Sequence, residues 1–136
     1  MPKVLLVEDD GVLRYALERD LAFTGLNVVA VATSMAALDI LEQPGHGFDV
    51  VLTDVVMPKH NPNGVALGRM LSAQRPRLAV IYMTGHPDVA DKLNQSDPEI
   101  QVFRKPIDAG HMAAAILRAA GRQAHPDRRA SNGAAC

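Results

Sequence analysis

Five short runs with the character of strands alternate with five helical segments, and this alternation restricts the fold more than any other feature of the chain. The runs occupy residues 4–7, 27–32, 48–54, 78–84 and 101–105. Most of them are rich in Val, Ile and Leu, as strands buried on both faces of a sheet are. Because a helix separates each run from the next, the strands are expected to be parallel, with helices on both faces. The sequence therefore predicts an α/β fold around a five-stranded parallel sheet.

The intervening segments carry helix start and stop signals. In the first of them, residues 11–23, Leu13, Leu17 and Leu21 are spaced four apart and form one apolar stripe. Thr33 or Ser34 is expected to cap the second helix. Asp10 and Asp108 are expected to begin the first and last helices. The pattern predicts the remaining helices over residues 35–43, 64–74, 87–95 and 109–121.

Periodicity is lost after residue 121. Residues 122–136 are polar and small, which predicts a disordered tail or linker. We therefore expect one domain over residues 1–121, followed by this tail.

Composition excludes several classes of function. The chain of 136 residues carries 14 basic and 15 acidic side chains, for a formal charge of −1. This balance predicts that the domain binds neither nucleic acid nor an anionic membrane. The single cysteine, Cys136, permits no disulfide within the chain, which is typical of a cytoplasmic protein. No apolar run is long enough for a signal peptide or a membrane span.

Polar side chains follow four of the five predicted strands. Glu8, Asp9 and Asp10 follow the first, Asp54 ends the third, Thr84 ends the fourth and Lys105 ends the fifth. In open parallel sheets, ligands bind outside the carboxyl ends of the strands. Each side chain alone has an ordinary explanation, such as capping a helix or extending into solvent. Their coincidence at one edge of the sheet favours a functional site.

The residue types at that edge are suited to phosphoryl transfer. Clustered carboxylates repel one another unless a proton or a cation neutralises them. Mg²⁺ typically takes one or two carboxylates together with waters and a phosphate oxygen. A carboxylate can attack phosphorus to form an aspartyl phosphate, and Asp54 on the third, central strand is the natural nucleophile. The Lys105 ammonium and the Thr84 hydroxyl can each hold a phosphoryl oxygen.

With these motifs in their order, the chain resembles a two-component response-regulator receiver domain. "LLVEDD" resembles the acidic pair after strand one, "LTDVVMP" the phosphoacceptor segment, "YMTG" the switch-hydroxyl turn and "RKPI" the lysine-proline turn. The resemblance covers residues 3 to about 121. It implies a flavodoxin-like (βα)5, doubly wound parallel sheet with the strand order 2-1-3-4-5.

The resemblance also implies a role for each site residue. The phosphoacceptor would be Asp54, the switch hydroxyl would be Thr84, and the phosphate-binding ammonium would be Lys105. The Mg²⁺ ligands would be Glu8, Asp9, Asp54 and the backbone carbonyl of Val56. The residues that tune dephosphorylation would be Val56 and His86. The peptide bond between Lys105 and Pro106 is expected to be cis. The protein would be no enzyme beyond catalysing its own phosphorylation and dephosphorylation.

The same resemblance implies the partners. A sensor histidine kinase or a phosphotransfer protein would supply the phosphoryl group. The downstream effector, a protein or a domain, is left unnamed by the sequence. A homodimer is compatible with the resemblance.

Four departures from the family pattern affect these expectations. Asp10 adds a third acid, which is assigned to the start of the first helix and not to the metal. Glu8 is one methylene longer than the usual aspartate. Five residues separate Pro58 from Gly64, where many family members have three, so the loop is expected to be longer. Val102 occupies the position of the usual switch aromatic, and strand alternation places the neighbouring Phe103 on the opposite side of the sheet.

Other interpretations are possible for a carboxylate at a strand end. A phosphatase of the haloacid dehalogenase type needs a second acid two positions after the nucleophile, where this chain has Val56. The acidic turn after the first strand would repel the phosphates of a dinucleotide or a flavin, and no P-loop motif is present. The main competitor is a receiver-like scaffold that works by protein contact without phosphorylation. The complete set of Asp54, Thr84 and Lys105 argues against it.

Overall fold

The computed structural model describes residues 1–57 and 63–124, with residues 122–124 described for their backbone only. The strands are β1 (Lys3–Val7), β2 (Asn27–Val31), β3 (Val50–Asp54), β4 (Ala79–Thr84) and β5 (Val102–Arg104). The helices are α1 (Gly11–Phe23), α2 (Ser34–Leu41), α3 (Gly64–Gln74), α4 (Pro87–Ser96) and α5 (Ala109–Ala124). Strands and helices alternate along the chain as the sequence pattern predicts.

The strands form one sheet in the order β2-β1-β3-β4-β5, and each pair of neighbours is parallel. This confirms the flavodoxin-like topology. The register brings the polar strand ends together, because Val7 pairs with Thr53 and Asp54 pairs with Met83. The side chains that follow β1, β3, β4 and β5 therefore share one edge of the sheet.

Apolar side chains cover both faces of the sheet. The cluster on one face combines strand residues such as Leu6 and Leu52 with Leu21 of α1 and Ile116 of α5. The cluster on the other face packs strand residues against α2 and α3. Every residue of β3 is buried, so its last residue, Asp54, lies in the interior at the sheet edge.

Helix ends follow the predicted capping. The Asp10 side chain accepts hydrogen bonds from the first N–H groups of α1, and Asp108 accepts one from the N–H of His111. Thr33 caps α2 through the N–H of Ala36, which leaves Ser34 as the first helical residue. Helix α5 continues three residues past the predicted end, to Ala124. The remainder of the predicted tail lies outside the described residues and stays a prediction.

The apolar stripe of α1 is only partly buried. Leu21 is fully buried and Leu17 packs against the core, but Leu13 is 46% exposed. Burial along the stripe therefore increases from Leu13 towards Leu21. No helix within residues 1–57 and 63–124 is long and apolar enough to span a membrane.

Val102, at the expected switch position, and its neighbour Phe103 lie on opposite faces of the sheet, as predicted. Phe103 packs against the cluster that contains α5. Val102 pairs directly with Tyr82, whose ring lies against Gly68 of α3. The predicted long loop over residues 59–63 lies outside the described residues except for Asn63, whose side chain caps α3 through the N–H of Ala66.

Candidate functional site

Three carboxylates meet where β1 and β3 end. Glu8, Asp9 and Asp54 each offer one oxygen, and these oxygens all lie within 4.8 Å of one another. Glu8 is 1% exposed and Asp54 is 6% exposed, whereas Asp9 is partly exposed. An all-oxygen, multiply charged donor set of this kind fits a hard divalent cation such as Mg²⁺. The arrangement brings together the three side chains that the sequence predicts as metal ligands.

Lys105 joins two of these carboxylates. Its Nζ donates a hydrogen bond of 2.7 Å to Oδ2 of Asp54 and another to Oε1 of Glu8. The main-chain N–H of Lys105 donates to the carbonyl of Thr84 at 2.8 Å, which holds the end of β5 beside β4. The peptide bond that follows, to Pro106, is cis as predicted. The ammonium thus reaches the site from the end of β5, which β4 separates from β3 in the sheet.

The electrostatics follow from burial and from this pairing. Burial raises the pKa of the Glu8 carboxyl, and the nearby Asp54 charge adds to that rise, while the hydrogen bond from Lys105 opposes it. Burial alone would lower the pKa of Lys105, but its bonds to Asp54 and Glu8 outweigh burial and raise it. The two carboxylates therefore hold the Lys105 ammonium in its charged form.

Glu8 is held at every polar atom. Its Oε2 accepts from the N–H of Asp10 at 3.2 Å, and its own N–H donates to the carbonyl of Val31 at 3.1 Å. Its carbonyl accepts from Nη1 of Arg14 at 2.9 Å. The sequence interpretation missed Arg14; the only signal for it was a basic residue in the first turn after an acidic segment.

The Asp54 main chain lies directly against α3. A Cβ added to Gly64 would stand 1.7 Å from the carbonyl oxygen of Asp54, closer than any side chain permits. On the carboxylate itself, Oδ1 accepts from the N–H of Val56 at 3.1 Å. Gly64 is therefore a second residue that the sequence interpretation missed, since it predicted only that a helix begins there. Whether the Val56 carbonyl is a metal ligand stays a prediction.

Thr84 and His86 form the turn after β4. Thr84 is fully buried, and its Oγ1 accepts from the N–H of His86 at 3.1 Å. His86 is exposed and precedes Pro87 at the start of α4, and its side chain makes no capping hydrogen bond. The hydroxyl of Thr84 is thus engaged by the turn it begins. The functional roles of both residues stay predictions.

A cleft of about 420 Å³ adjoins the site. It is lined by Glu8 and Lys105, by Leu13 and Leu17 of α1, and by Ile107. The partial exposure of Leu13 is explained by its position in this cleft. The side of the site next to α1 is therefore lined mainly by apolar side chains.

Comparisons with known proteins give a consistent picture. A sequence profile described as the response regulator receiver domain matches residues 4–117. The chain is 32% identical over 117 residues to the DNA-binding transcriptional regulator NtrC of Escherichia coli (strain K12), covering 85% of this chain and 24% of that protein. It is 32% identical over 114 residues to the sensor kinase CckA of Brucella abortus (strain 2308), covering 83% of this chain and 12% of the kinase.

A solved structure shares the fold. A response regulator receiver domain protein from Clostridium thermocellum superposes with a TM-score of 0.78 at 28% identity, covering 90% of this chain and 97% of that one. The match includes almost all of that domain but only small parts of the longer relatives. The similarity therefore concerns one domain that occurs within larger regulators and kinases.

Proposed function

This chain belongs to the response regulator receiver domain family, and from that premise we propose that Asp54 accepts a phosphoryl group from a sensor histidine kinase or a phosphotransfer protein. Receiver domains act in the phosphorelays of two-component systems. One observation carries the specific proposal: a buried carboxylate at the central strand end lies within 4.8 Å of two further acids and bonds to an ammonium. Such a carboxylate is oriented and supplied with counter-charge before the donor arrives.

Each site residue has its own role in the transfer of the phosphoryl group. An oxygen of Asp54 attacks phosphorus, the new O–P bond forms, and the bond from phosphorus to the donor breaks with the electron pair leaving on the donor. Lys105 exchanges its bond to Asp54 Oδ2 for a bond to a phosphoryl oxygen. Mg²⁺, held by Glu8, Asp9 and Asp54, would shield the negative charge of the incoming group.

The phosphorylated form differs at the surface. The added group brings charge and acceptor oxygens. Thr84 leaves its bond to the His86 N–H and donates its hydroxyl to a phosphoryl oxygen. Because α4 begins immediately after this turn, the change reaches the surface formed by α4, β5 and α5. We propose that this surface binds the downstream partner, which is an effector protein or domain or a second copy of the chain.

Phosphorylation with a small donor tests the proposal. The protein is incubated with acetyl phosphate and Mg²⁺, and addition of one phosphoryl group is followed by mass spectrometry. Wild type is expected to be labelled, and Asp54→Asn is expected to stay unlabelled while folding normally, because the amide has the same shape and is a poor nucleophile. Asp39→Asn, on the exposed face of α2, is the matched control and is expected to be labelled like wild type.

The same experiment distinguishes the phosphoacceptor function from the main alternative. A receiver-like scaffold that works without phosphorylation predicts no label on wild type under any condition. Equal labelling of Asp54→Asn would contradict the assignment of the phosphoacceptor.

A further inference from the structure

Arg14 reaches back from α1 to the main chain of the acidic turn. Its Nη1 donates to the carbonyl of Glu8 at 2.9 Å, and its side chain is partly buried. Its Nη2 lies 3.6 Å from the place where a Cβ on Gly11 would stand. The guanidinium is therefore folded over the first turn of the helix and does not extend into solvent.

Asp9 is the carboxylate whose direction depends most on the main chain. Within residues 1–57 and 63–124, hydrogen bonds hold the carboxylates of Glu8 and Asp54, but none is formed by the carboxylate of Asp9. A partly exposed acid without a partner samples several rotamers. How often the Asp9 carboxylate faces the other two acids therefore depends on where the backbone holds its Cα and Cβ.

That backbone is fixed from both sides of Glu8. The Glu8 N–H donates to the carbonyl of Val31 on β2 at 3.1 Å, and the Glu8 carbonyl accepts from Arg14. Because a peptide unit is planar, holding the Glu8 carbonyl also holds the N–H and Cα of Asp9. The Glu8 N–H belongs to the preceding peptide plane, so without the guanidinium the Glu8–Asp9 plane loses the hydrogen bond that holds its carbonyl.

We propose that Arg14 is a positioning residue, which holds the Glu8–Asp9 peptide so that the Asp9 carboxylate shares a divalent cation with Glu8 and Asp54. This inference rests on the proposed function, since it concerns the same Mg²⁺ site. Groups that orient metal ligands typically change metal affinity by about 10–100-fold when they are removed.

The direction in which the Mg²⁺ affinity changes distinguishes a positioning role of Arg14 from an effect of its charge. Arg14 is a cation close to a cluster of acids, so removing its charge would by itself strengthen the binding of Mg²⁺. Loss of positioning weakens that binding. Weaker binding after a cation has been removed is therefore a result that electrostatics does not produce.

Calorimetric titration with Mg²⁺ at constant ionic strength tests the inference. Arg14→Met keeps the aliphatic stem and removes the donor, and it is expected to bind Mg²⁺ roughly 10-fold more weakly than wild type. Arg14→Lys restores a donor and is expected to recover part of the affinity. Arg19→Met removes the same charge from the same helix at an exposed position paired with Asp20, and it is expected to bind Mg²⁺ like wild type or slightly more tightly.

A double-mutant cycle shows whether Arg14 acts through Asp9. In an Asp9→Ala background, Arg14→Met is expected to cause no further loss, because the ligand it positions is gone. Equal or tighter binding by Arg14→Met alone would overturn the inference. So would a loss that persists in the Asp9→Ala background, or one that Arg14→Lys does not recover while the melting temperature falls in parallel. Absence of Mg²⁺ binding by wild type would overturn the proposed function and this inference with it.

Discussion

The Nζ atom of Lys105 lies 2.7 Å from Oδ2 of Asp54, although 51 residues separate the two in sequence. The same ammonium bonds to Glu8, which is buried. Lys105 is thus the counter-charge that the chain itself supplies to two of its carboxylates. A divalent cation at the same acids would supply a second counter-charge, and the two cations repel each other.

Removing the ammonium should therefore destabilise the protein in a way that Mg²⁺ reverses. Lys105→Met leaves a buried carboxylate without its partner, which costs about 3 kcal/mol of unfolding free energy. Bound Mg²⁺ stabilises only the folded form, and in the variant it no longer competes with an ammonium. The melting temperature of Lys105→Met, measured in EDTA and in Mg²⁺, is expected to rise more with Mg²⁺ than that of wild type.

The control for this prediction is Lys92→Met, which removes an exposed lysine from α4. It is expected to melt like wild type under both conditions. If Lys105→Met loses the same stability in EDTA and in Mg²⁺, the two cations do not act on the same carboxylates.

Gly64 should tolerate no side chain. An alanine Cβ there would meet the Asp54 carbonyl oxygen at 1.7 Å, so either α3 or the end of β3 must move. Gly64→Ala is expected to lower the unfolding free energy by about 3 kcal/mol and to slow labelling by acetyl phosphate. Gly121→Ala, in α5 where no atom lies near the added Cβ, is expected to stabilise by up to about 1 kcal/mol. Similar denaturation midpoints for the two variants would contradict the close approach.

The sequence predicted those parts of the site that follow from the sheet alone. Asp54 and Thr84 end strands and Lys105 directly follows one, and parallel strands place their carboxyl ends at one edge. Such positions can be inferred from periodicity without any knowledge of side-chain paths. The fold and the opposite faces of Val102 and Phe103 were predictable for the same reason. The caps at Asp10 and Asp108 were predictable from the preference of Asp for helix N-termini.

The contacts that were missed depend on distances across the structure. The Arg14 bond requires the guanidinium to fold back over its own helix, and no sequence pattern specifies that rotamer. The role of Gly64 depends on the separation of α3 from β3, which tertiary packing sets. The sharing of Lys105 between Asp54 and Glu8 likewise depends on the extra methylene of Glu8 and on the path of one long side chain.

A histidine at the opposite edge of the sheet should make stability depend on pH. Nδ1 of His46 accepts from the N–H of Phe48 at 2.9 Å, a bond that protonation of Nδ1 abolishes. Burial lowers the pKa of His46 below its ordinary value of 6.5, and the charges of Arg75 and Lys3 lower it further. The unfolded chain then binds more protons below that value, so this contribution to stability is present above pH 6.5 and is lost as pH falls through the folded-state pKa.

Comparison with His46→Asn measures this contribution. The Asn amide oxygen can accept the same N–H at every pH, so the variant should lose less stability than wild type between about pH 7 and pH 5. Denaturant unfolding at a series of pH values gives both curves. The control His86→Asn alters an exposed histidine whose side chain makes no capping hydrogen bond, and it is expected to keep the wild-type pH dependence. Parallel curves for wild type and His46→Asn would rule out His46 as the source.

The lifetime of the phosphorylated form should depend on Val56. Its N–H bonds to the carboxylate of Asp54, the proposed phosphoacceptor, and its apolar side chain is partly buried. Valine offers a hydrolytic water no hydrogen bond, which should make hydrolysis slow. Val56→Asn can orient a water and is expected to shorten the lifetime about tenfold, less than the 100-fold or more that a positioned general base contributes.

His86 is the competing determinant of that lifetime. Its exposed ring follows Thr84 by two residues, and it can orient a water when neutral or stabilise the phosphoryl group when charged. Loss of the phosphorylated protein is followed in excess Mg²⁺ from about pH 6 to pH 8 for wild type, Val56→Asn and His86→Ala, with Leu117→Asn on the distant α5 as control. We expect Val56→Asn to be faster at every pH and His86→Ala to follow wild type. An unchanged rate for Val56→Asn, together with a pH dependence that His86→Ala removes, would instead identify His86 as the residue that controls hydrolysis.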